Sequence, residues 1–239
     1  MVAPVFLNTP PLDVFGQMAL DELLAEAKEE ASFARFFNWA GGPQATFGYA
    51  QFESSVRKQL EARGISVYTR RPTGGGVVLH KDDLTFTLVF NQLGDMRPMA
   101  IYNALHDLIK QEFAANNIAL SSYNDKSDYR PSVDGVSSNC FQNPVSDDLL
   151  DGSGNKILGG AIRRFGQRVL YQGSLQLAAA RQNSLYREVI KKAFVKFLGG
   201  LGGLSGKEFR EENLNPAFLA QALAKAESQY KTKEWIEKF

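Results

Sequence analysis

The sequence is short of the side chains that most often build metal cages and disulfides. It has 239 residues but one cysteine and two histidines. A single cysteine cannot form a disulfide within the chain, and this set offers no recognisable zinc cage, so we expect no metal site made by the protein alone. The charges also balance, with 27 Lys and Arg against 26 Asp and Glu. Without a basic field, nucleic acid is not an expected partner.

Long hydrophobic runs are missing as well. The longest apolar stretches, such as residues 84–90, have the length of a strand and are far too short to cross a membrane. The first residues lack the basic start and apolar run of a secretion signal. We therefore expect a cytoplasmic protein with no membrane partner. Because 44% of its residues are hydrophobic, it can bury a substantial core.

Hydrophobic periodicity and turn residues predict interleaved helices and strands. Helices are expected at residues 13–28, 54–63, 102–116, 184–198 with Ser184 as N-cap, and 215–236. Strands are expected at residues 33–50 as two short strands joined by a turn, 65–70, 84–90, 118–122, 156–162 and 168–177. Polar residues 124–138 and glycine-rich residues 199–206 are expected to be loops.

The strands come in hairpin-like pairs, so we expect an α/β fold with a mixed β-sheet flanked by helices. Residues 1–239 are expected to form a single domain, with residues 184–239 packed on it as C-terminal helices.

The most informative stretch is RRPTGGGVVLHKDDLTFT, which begins at Arg70. Three consecutive glycines after a strand let the main chain approach an anion, and successive N–H groups can form an anion-binding nest. Arg70 and Arg71 add forked donors for phosphate or carboxylate. The stretch does not fit the P-loop pattern, and a plain turn between two strands stays open as the alternative.

This stretch resembles the signature loop of the biotin/lipoate A/B protein ligase family, in particular its lipoate ligases and octanoyltransferases. GQMALDELL from Gly16 is similar to the family's first helix, and FFNWAGGPQATFGYAQ from Phe36 to its strand pair. NKILGGAIRR from Asn155 resembles the K-(I/V)-x-G-x-A-x-R motif, and YQGSLQL from Tyr171 the (H/Q)-x-G-(S/T)-L strand. Together the matches cover residues 13 to 177 in the family order.

The resemblance implies a fold like the catalytic domain of these ligases and a role in lipoylation. The substrate would be lipoate or octanoate, joined to a lysine of a carrier domain in a 2-oxo acid dehydrogenase or in a glycine-cleavage H-type protein. No permanently bound cofactor is implied. Val77, Val78, Leu79 and Phe86 are expected either to line an acyl slot or to be ordinary core.

Lys156 opens an apolar strand before three small residues, Gly159, Gly160 and Ala161, which let a ligand lie close. Taken alone it would be a solvated surface charge. The family match implies that its ammonium holds the acyl carbonyl or the adenylate oxygens, where a cation stabilises an oxyanion. The residues expected to bind substrate or adenylate are Arg70, Arg71, Thr73, Gly74, Gly75, Gly76, Val77, His80, Gly159 and Ala161.

Cys140 separates two mechanisms. It fits C-F-x-x-P-x-x-x-(D/E)-L, which resembles the nucleophile segment of cysteine-dependent octanoyltransferases and ends here in Asp148 and Leu149. A thiolate, with its pKa lowered by Lys156, would take the octanoyl group from acyl-carrier protein without ATP. A lone cysteine is otherwise a small buried hydrophobe, and that reading stays open.

Gly76 points the other way, because lipoate ligases show three glycines where such transferases typically have arginine after the second. The main expectation is therefore a lipoate-protein ligase that uses ATP and Mg²⁺ to form lipoyl-AMP, with the octanoyltransferase as the alternative. A non-catalytic lipoate-binding accessory protein is the third hypothesis. No accessory domain is expected in this chain, so a separate accessory subunit is a further expected partner of the ligase.

A basic stretch follows Lys156 in the sequence, with Arg163, Arg164 and Arg168 around Gly166. It fits either a solvated hairpin turn or a landing patch for an acidic carrier domain.

Overall fold

The computed structural model describes residues 2–92, 94, 96–124, 146–201 and 208–239. Its strands are β1 (Val5–Asn8), β2 (Phe33–Phe36), β3 (Gln44–Phe47), β4 (Tyr68–Arg70), β5 (Val78–His80), β6 (Leu84–Asn91), β7 (Ser121–Ser122), β8 (Leu149–Leu150), β9 (Lys156–Phe165), β10 (Arg168–Leu175) and β11 (Arg210–Asn213). Its α-helices are α1 (Val14–Glu26), α2 (Glu53–Glu61), α3 (Pro98–Ala114), α4 (Ser184–Gly200), α5 (Pro216–Lys225) and α6 (Lys233–Ile236).

The strands of the described residues form a large and a small sheet. The large sheet has the order β11-β1-β2-β6-β10-β9-β8-β7, and the small sheet has the order β4-β3-β5. In the large sheet β1 runs parallel to β11 and β2, while β2, β6, β10, β9, β8 and β7 pair antiparallel. The expected mixed sheet flanked by helices is confirmed.

Side-chain alternation along β6 explains why helices cover both faces of the large sheet. Phe86 and Phe90 pack with residues of α3 and α4, such as Phe113 and Phe194, on one face. Val89 points to the other face and packs with α1. One phase of its sequence LTFTLVFN is wholly apolar. The other phase is mostly polar, and the buried Thr85 and Thr87 hydroxyls donate to Asp83 and Asp21. Among the described residues, no helix combines the length and apolar character that crossing a bilayer requires.

Two expected turns differ from the structure. The two strands expected at residues 33–50 exist as β2 and β3, but they belong to different sheets, so the turn between them does not close a hairpin. The β9–β10 hairpin is present, yet Arg163 and Arg164 lie within β9, and the turn forms at Gly166, whose φ is 60°. That left-handed conformation suits glycine and places the turn two residues later than the arginines.

The helices at the C-terminal end also differ in detail. Asn183, and not Ser184, caps α4, because its side chain accepts the Tyr186 N–H. The single helix expected at residues 215–236 is divided: α5 leads into a π-helical turn at Ala226–Tyr230, and α6 follows. Residues 199 and 200 of the expected glycine-rich connection end α4, and residues 202–207 lie outside the described residues.

Four strands were not predicted: β1, β5, β8 and β11. The last of these has the sequence REEN and forms the exposed edge of the large sheet. An edge strand with charged side chains carries no apolar alternation, so its sequence gives no strand signal.

The small sheet fixes the start of the glycine loop, residues 73–76. Arg71 N–H donates to Phe47 O (2.9 Å) and Tyr49 N–H to Thr73 O (2.8 Å). Between these two bonds the main chain of Gly48 lies so close to Gly75 that a Cβ at Gly48 would come within 1.8 Å of the Gly75 carbonyl oxygen. The glycine at position 48 is therefore required by the loop packed on it.

Gly48→Ala should displace this loop and lower the free energy of unfolding by about 2 kcal/mol or more, because the colliding atom is main chain and cannot rotate away. Gly74→Ala is the matched control, since a Cβ there meets nothing within 4 Å. Its effect should stay within about 0.5 kcal/mol. Urea denaturation of both variants checks this, and equal stabilities would contradict the packing argument.

Candidate active site

A pocket of about 420 Å³ has a wall made from both sheets. Four of the residues expected to bind substrate or adenylate line it: Arg71, His80, Gly159 and Ala161. Val78, expected in the acyl slot, and Gly160, which stands between Gly159 and Ala161, line it too. The lining residues that the sequence did not indicate are Met18, Phe37, Thr46, Thr85, Gln172, Gly173 and Ser174. The pocket thus combines apolar groups with a few polar ones, as small-molecule sites usually do.

Two facing glycines let the main chain form part of the pocket wall. Gly160 of β9 is paired with Gly173 of β10. A Cβ at Gly160 would come within 2.5 Å of the Tyr171 ring, and one at Gly173 within 2.3 Å of the Phe86 ring. The rings therefore fill the space into which these side chains would extend.

Lys156 is buried and paired beside this wall. Its Nζ lies 2.7 Å from Asp148 Oδ2, and the two side chains are 2% and 0% exposed. A Cβ at Gly159 would come within 2.6 Å of Lys156 Cε and 2.8 Å of its Nζ. Gly159 thus makes room for the lysine side chain next to the pocket, and the alternative of a solvated surface lysine is wrong.

The Asp148 carboxylate has a second partner on α3. Tyr102 Oη donates to Asp148 Oδ1 (2.5 Å) and accepts the N–H of Gly160 (3.1 Å), a residue of the pocket wall. Burial, together with the charge of Asp148, raises the pKa of Tyr102 well above its ordinary value. Its hydroxyl therefore stays protonated and remains a donor to the carboxylate.

His106 packs on Tyr102, with ring centroids 3.9 Å apart. Burial lowers the pKa of His106 to about 3, so the imidazole is neutral at physiological pH. Its Nδ1 donates to Asp147 O (2.8 Å), which leaves Nε2 to accept from the Tyr171 hydroxyl (2.9 Å). The neutral imidazole packs against the Tyr102 ring and adds no charge near Lys156.

His80 lines the pocket and belongs to a second cluster of polar side chains. Its Nδ1 donates to Asp83 Oδ2 (2.9 Å), and its Nε2 lies 3.0 Å from Thr46 Oγ1. Thr85 and Ser174 hydroxyls also donate to Asp83 Oδ2. Burial alone would raise the pKa of Asp83, but the facing imidazole and these hydrogen bonds outweigh it and lower the pKa. The ring is thereby held in one orientation.

Arg70 does not line the pocket. Its side chain is buried and donates to four main-chain carbonyls, those of Tyr49 (2.5 Å), Gln51 (2.8 Å), Trp235 (2.9 Å) and Ile236 (2.7 Å). Arginine suits this place because one planar guanidinium reaches several acceptors. The residue expected to bind adenylate therefore ties the C-terminal segment to β4.

Of the remaining residues expected in the loop, Arg71 lines the pocket, whereas Thr73, Gly74, Gly75, Gly76 and Val77 do not. Arg71 lines the pocket and donates through Nε and Nη2 to Gly74 O. Thr73 Oγ1 donates to Gln172 Oε1 (2.6 Å), so it acts on the pocket through a lining side chain. Val77 packs in the small-sheet core with Phe47. Gly75 and Gly76 are not among the lining residues.

Of the expected acyl slot, Val78 alone lines the pocket, while Phe86 lies beneath Gly173 and Leu79 packs at the small-sheet core. A strand places alternate side chains on opposite faces, so neighbours at positions 77, 78 and 79 cannot share one slot.

Cys140 lies outside the described residues, as do residues 125–145 around it. The end of its motif is described: Asp148 pairs with Lys156, and Leu149 belongs to the main core.

The three arginines of the basic stretch point to different places. Arg163 donates to Pro72 O (2.9 Å), near the glycine loop. Arg164 bonds the Met96 carbonyl, and Arg168 is buried against the carbonyls of Glu29 and Ala31. They do not form one continuous patch.

A buried network on α1 was missed by the sequence reasoning. Asp21 pairs with Arg35, both fully buried, and its Oδ2 accepts from Thr87 and Gln172 (2.6 Å each). Because Gln172 lines the pocket and also accepts from Thr73, the network joins α1, the pocket wall and the glycine loop. Polar residues on the otherwise apolar face of α1 were the available signal.

Metal-ligating side chains do not cluster in the described part of the chain: no group of three or more His, Cys, Asp or Glu residues there could hold a metal ion.

The family model of the lipoyl protein ligase A/B catalytic domain matches residues 13–197. The chain belongs to the lipoyl protein ligase A/B family. Octanoyltransferase LipM of Oceanobacillus iheyensis is 32% identical over 180 residues, which cover 72% of this chain and 63% of the relative. Octanoyltransferase LipM of Brevibacillus brevis is 27% identical over 187 residues, covering 72% and 65%. This chain thus spans less than two thirds of these curated relatives.

Solved structures show the same fold at low sequence identity. A lipoate-protein ligase A bound with ATP has a TM-score of 0.75 and 18% identity, with 99% of both chains covered. The bi-partite lipoate protein ligase of Thermoplasma acidophilum, described together with its E2 lipoyl domain, has a TM-score of 0.72 and 18% identity, with 99% of this chain and 96% of that chain covered. The expected family and its fold are confirmed.

Lys156→Met should leave the Asp148 carboxylate buried without its ammonium, and we expect the free energy of unfolding to fall by about 3–5 kcal/mol. Adding Asp148→Asn should recover most of that loss, because the second change removes the uncompensated charge. Urea denaturation of wild type, both single variants and the double variant measures the coupling. Additive effects of the two changes would show that the pair does not act as a unit.

The variants Arg70→Met and Arg71→Met should distinguish an arginine that stabilises the fold from one that binds substrate. The first change removes the donor from four part-buried carbonyls and should lower the melting temperature by about 4 °C or more, at roughly 2–4 °C per kcal/mol. The second should weaken substrate binding with a smaller effect on stability, since Arg71 lines the pocket. Thermal melts and the KM for the acyl donor check both, and a greater melting loss in Arg71→Met would reverse the assignment.

Proposed function

We propose that this chain is an octanoyltransferase that moves an octanoyl group from acyl-carrier protein to a lysine of a lipoyl carrier domain, with Cys140 as the acyl nucleophile. The carrier would belong to a 2-oxo acid dehydrogenase or be a glycine-cleavage H-type protein. Family membership and relatives named as octanoyltransferases support this alternative over the ligase that the three glycines suggested. The cysteine motif supplies the nucleophile that such a transfer needs.

One contact carries the proposal. Asp148, near the end of the cysteine motif, pairs with Lys156, the first residue of the K-I-x-G motif, at 2.7 Å. Two sequence motifs that are separate in the chain therefore meet at one buried ion pair, and Gly159 joins that pair to the pocket. This contact supports the proposal, because Asp148 belongs to the same sequence motif as Cys140 and lies beside the pocket.

The proposed chemistry has two acyl transfers. The Cys140 thiolate attacks the octanoyl thioester carbonyl, a new thioester forms, and the acyl-carrier thiol leaves with a proton. The amine of the target lysine then attacks the enzyme thioester, forms an amide, and returns the thiol to Cys140. Each attack develops negative charge on the carbonyl oxygen, which a nearby ammonium such as that of Lys156 stabilises. Neither step requires ATP.

The charges around the pocket favour a neutral acyl donor. Arg70, the first of the two arginines expected to bind phosphate, has its guanidinium directed to main-chain carbonyls. The Lys156 charge is compensated by Asp148. Of Arg70, Arg71 and Lys156, Arg71 alone lines the pocket, which leaves a triphosphate few cations to bind, whereas an uncharged thioester has no such charge to neutralise.

The lipoate ligase is the second candidate. Gly76 fits that class, and the fold is shared with a lipoate-protein ligase A that was solved with ATP. In this reaction lipoate would be activated with MgATP, and Arg71 is the pocket-lining cation closest in sequence to the glycine loop.

The two reactions are separated by their donors. The purified chain is incubated with an apo-lipoyl domain and either octanoyl-acyl-carrier protein without ATP, or lipoate or octanoate with MgATP, and the product is weighed by mass spectrometry. We expect modification with the first donor and a covalent octanoyl adduct on the enzyme when the lipoyl domain is omitted. Modification with the second donor alone identifies the ligase. No modification with either donor favours the accessory protein.

Cys140→Ser is the matched variant. Under the proposed mechanism it loses both the adduct and the transfer. A serine hydroxyl is not ionised at neutral pH and is a much weaker nucleophile than a cysteine thiolate. Retention of full transfer by Cys140→Ser would exclude the covalent route.

A further inference from the structure

We propose that Arg163 and Lys238, which meet on the ring of Tyr49, form an anion site beside the pocket and bind the phosphate of the donor's phosphopantetheine arm. The inference rests on the proposed acyl transfer, because a thioester donor carried on such an arm brings this phosphate to the pocket. Binding of the phosphate can be measured without any turnover.

Two cations lie against one aromatic ring at the surface of the protein. The Arg163 guanidinium lies 4.6 Å from the centroid of the Tyr49 ring, and Lys238 Nζ lies 4.7 Å from it. Lys238 Nζ also donates to the Tyr49 hydroxyl (2.5 Å). Arg163 belongs to β9 and Lys238 follows α6, so the ring brings together two cations that are distant in the sequence.

The charges of these two cations are not compensated by carboxylates. Neither cation forms an ion pair with an acid among the residues that the structure describes, and the acids on the neighbouring elements, Glu53 and Glu237, pair with Arg57. The hydrogen bond from the lysine, and after it the charges of both cations, lower the pKa of the Tyr49 hydroxyl, although burial acts in the opposite direction. The cluster therefore favours negative charge at this place.

Most of the hydrogen-bond donors of the cluster remain for a ligand. A lysine ammonium has three N–H donors and a guanidinium has five. Lys238 donates to Tyr49, and Arg163 donates through Nη1 to Pro72 O (2.9 Å). With these bonds in place, further N–H groups of both side chains can donate to phosphate oxygens, which are strong acceptors for charged donors.

The cluster lies at the outward end of the pocket wall. Along β9, residues 156–159 are buried, residues 160–163 are half-buried and Arg164 is exposed. Ala161 lines the pocket, and Arg163 follows it on the same face of the strand, about 7 Å further along. A chain that leaves the pocket along β9 therefore passes this cluster.

The cluster is also fixed to the glycine loop. Tyr49 N–H donates to Thr73 O (2.8 Å), next to the Pro72 carbonyl that Arg163 binds. The loop begins beside Arg71, which lines the pocket. The anion site and the pocket wall therefore keep a constant separation.

That separation distinguishes between two kinds of phosphate. Gly159, which lies against the Lys156 side chain, is four residues from Arg163, or about 13 Å along the strand. In a phosphopantetheine thioester, a long amide-linked chain separates the phosphate from the acyl carbonyl that Lys156 is proposed to stabilise. In an acyl-adenylate, the phosphate is bonded directly to the acyl group. The cluster thus suits the phosphate of an extended arm.

The first experiment measures binding with compounds that cannot transfer an acyl group. The thioethers S-octyl-phosphopantetheine and S-octyl-pantetheine differ by the phosphate alone, and each is titrated into wild type by calorimetry. We expect the phosphorylated compound to bind about tenfold more tightly, and added salt to reduce this difference, because the cations are partly exposed. Equal affinities, or no binding of either compound, would overturn the proposal.

Lys238→Gln and Arg163→Gln each remove one cation of the cluster. Each variant should bind the phosphorylated thioether about tenfold more weakly and the other thioether as wild type does. Lys233→Gln is the matched control, since it removes the same charge from an exposed side chain of α6 outside the cluster, and its affinities should be those of wild type. An equal loss for both thioethers in Lys238→Gln would mean that the cluster has a structural role alone.

Thermal melting shows whether Arg163→Gln disturbs the loop through its bond to Pro72 O. If it does, Lys238→Gln still tests the site, because the Lys238 side chain donates to the Tyr49 hydroxyl and to no main-chain carbonyl among the described residues.

The second experiment compares the two octanoyl thioesters of these arms as donors. In wild type, the phosphate should lower KM about tenfold and leave kcat unchanged, because a contact far from the reacting carbonyl stabilises the bound substrate and the transition state alike. Lys238→Gln should lose this difference. A phosphate effect on kcat with equal KM values would refute the assignment.

A nucleotide is the other source of phosphate. AMP and ATP are therefore titrated into wild type and Lys238→Gln. Nucleotide binding that the change weakens, with unchanged binding of the phosphorylated thioether, would assign the cluster to a nucleotide and overturn the proposal. If wild type transfers octanoyl groups from no thioester donor, the proposed function fails. Normal transfer without any preference for the phosphorylated arm leaves that function intact and refutes the anion site.

Discussion

A lysine ammonium removed from water is stable only beside an anion, and the surroundings of Lys156 follow from that constraint. Asp148 must be buried with it, and the second carboxylate oxygen then needs a donor, which Tyr102 supplies from α3. Tyr102 in turn needs its ring supported, and a neutral His106 provides a flat surface without a competing charge. Replacing such a pair by apolar side chains often leaves a protein as stable or more so, so the pair is not needed for stability alone.

A second buried ion pair plays a different part. Asp21 and Arg35 do not line the pocket, yet Asp21 accepts a hydrogen bond from the lining residue Gln172, and Gln172 accepts one from Thr73 at the start of the glycine loop. The loop is thereby fixed from two directions, by this network and by the close contact between Gly48 and Gly75. The glycines of the loop thus allow it to pack against β3, and the pocket is lined instead by Arg71 beside them.

The sequence predicted what depends on local pattern. α1 follows from its apolar spacing, and the β9–β10 hairpin follows from two strand-like runs around Gly166. Arg71, His80, Gly159 and Ala161 were placed at the site by motif alone, and they do line one pocket.

The missed features depend on partners that are distant in the chain. Arg70 donates to the carbonyls of residues 235 and 236, and no residue near Arg70 in the sequence indicates that these carbonyls lie beside it. Tyr102 and His106 look like ordinary helix residues, and only the fold brings them to Asp148 and Tyr171. The polar strand β11 pairs through its main chain, so its side chains do not predict that pairing.

Aromatic rings fill the space next to the two facing glycines of this sheet. Each ring occupies the volume that a side chain on the opposite strand would otherwise need, so Gly160 is matched to Tyr171 and Gly173 to Phe86 as large-and-small couples. A larger side chain at either glycine would therefore require a smaller ring at its counterpart. The shape of the pocket wall and the packing of the α3 face are thus coupled, and a change of one side of the sheet requires a change of the other.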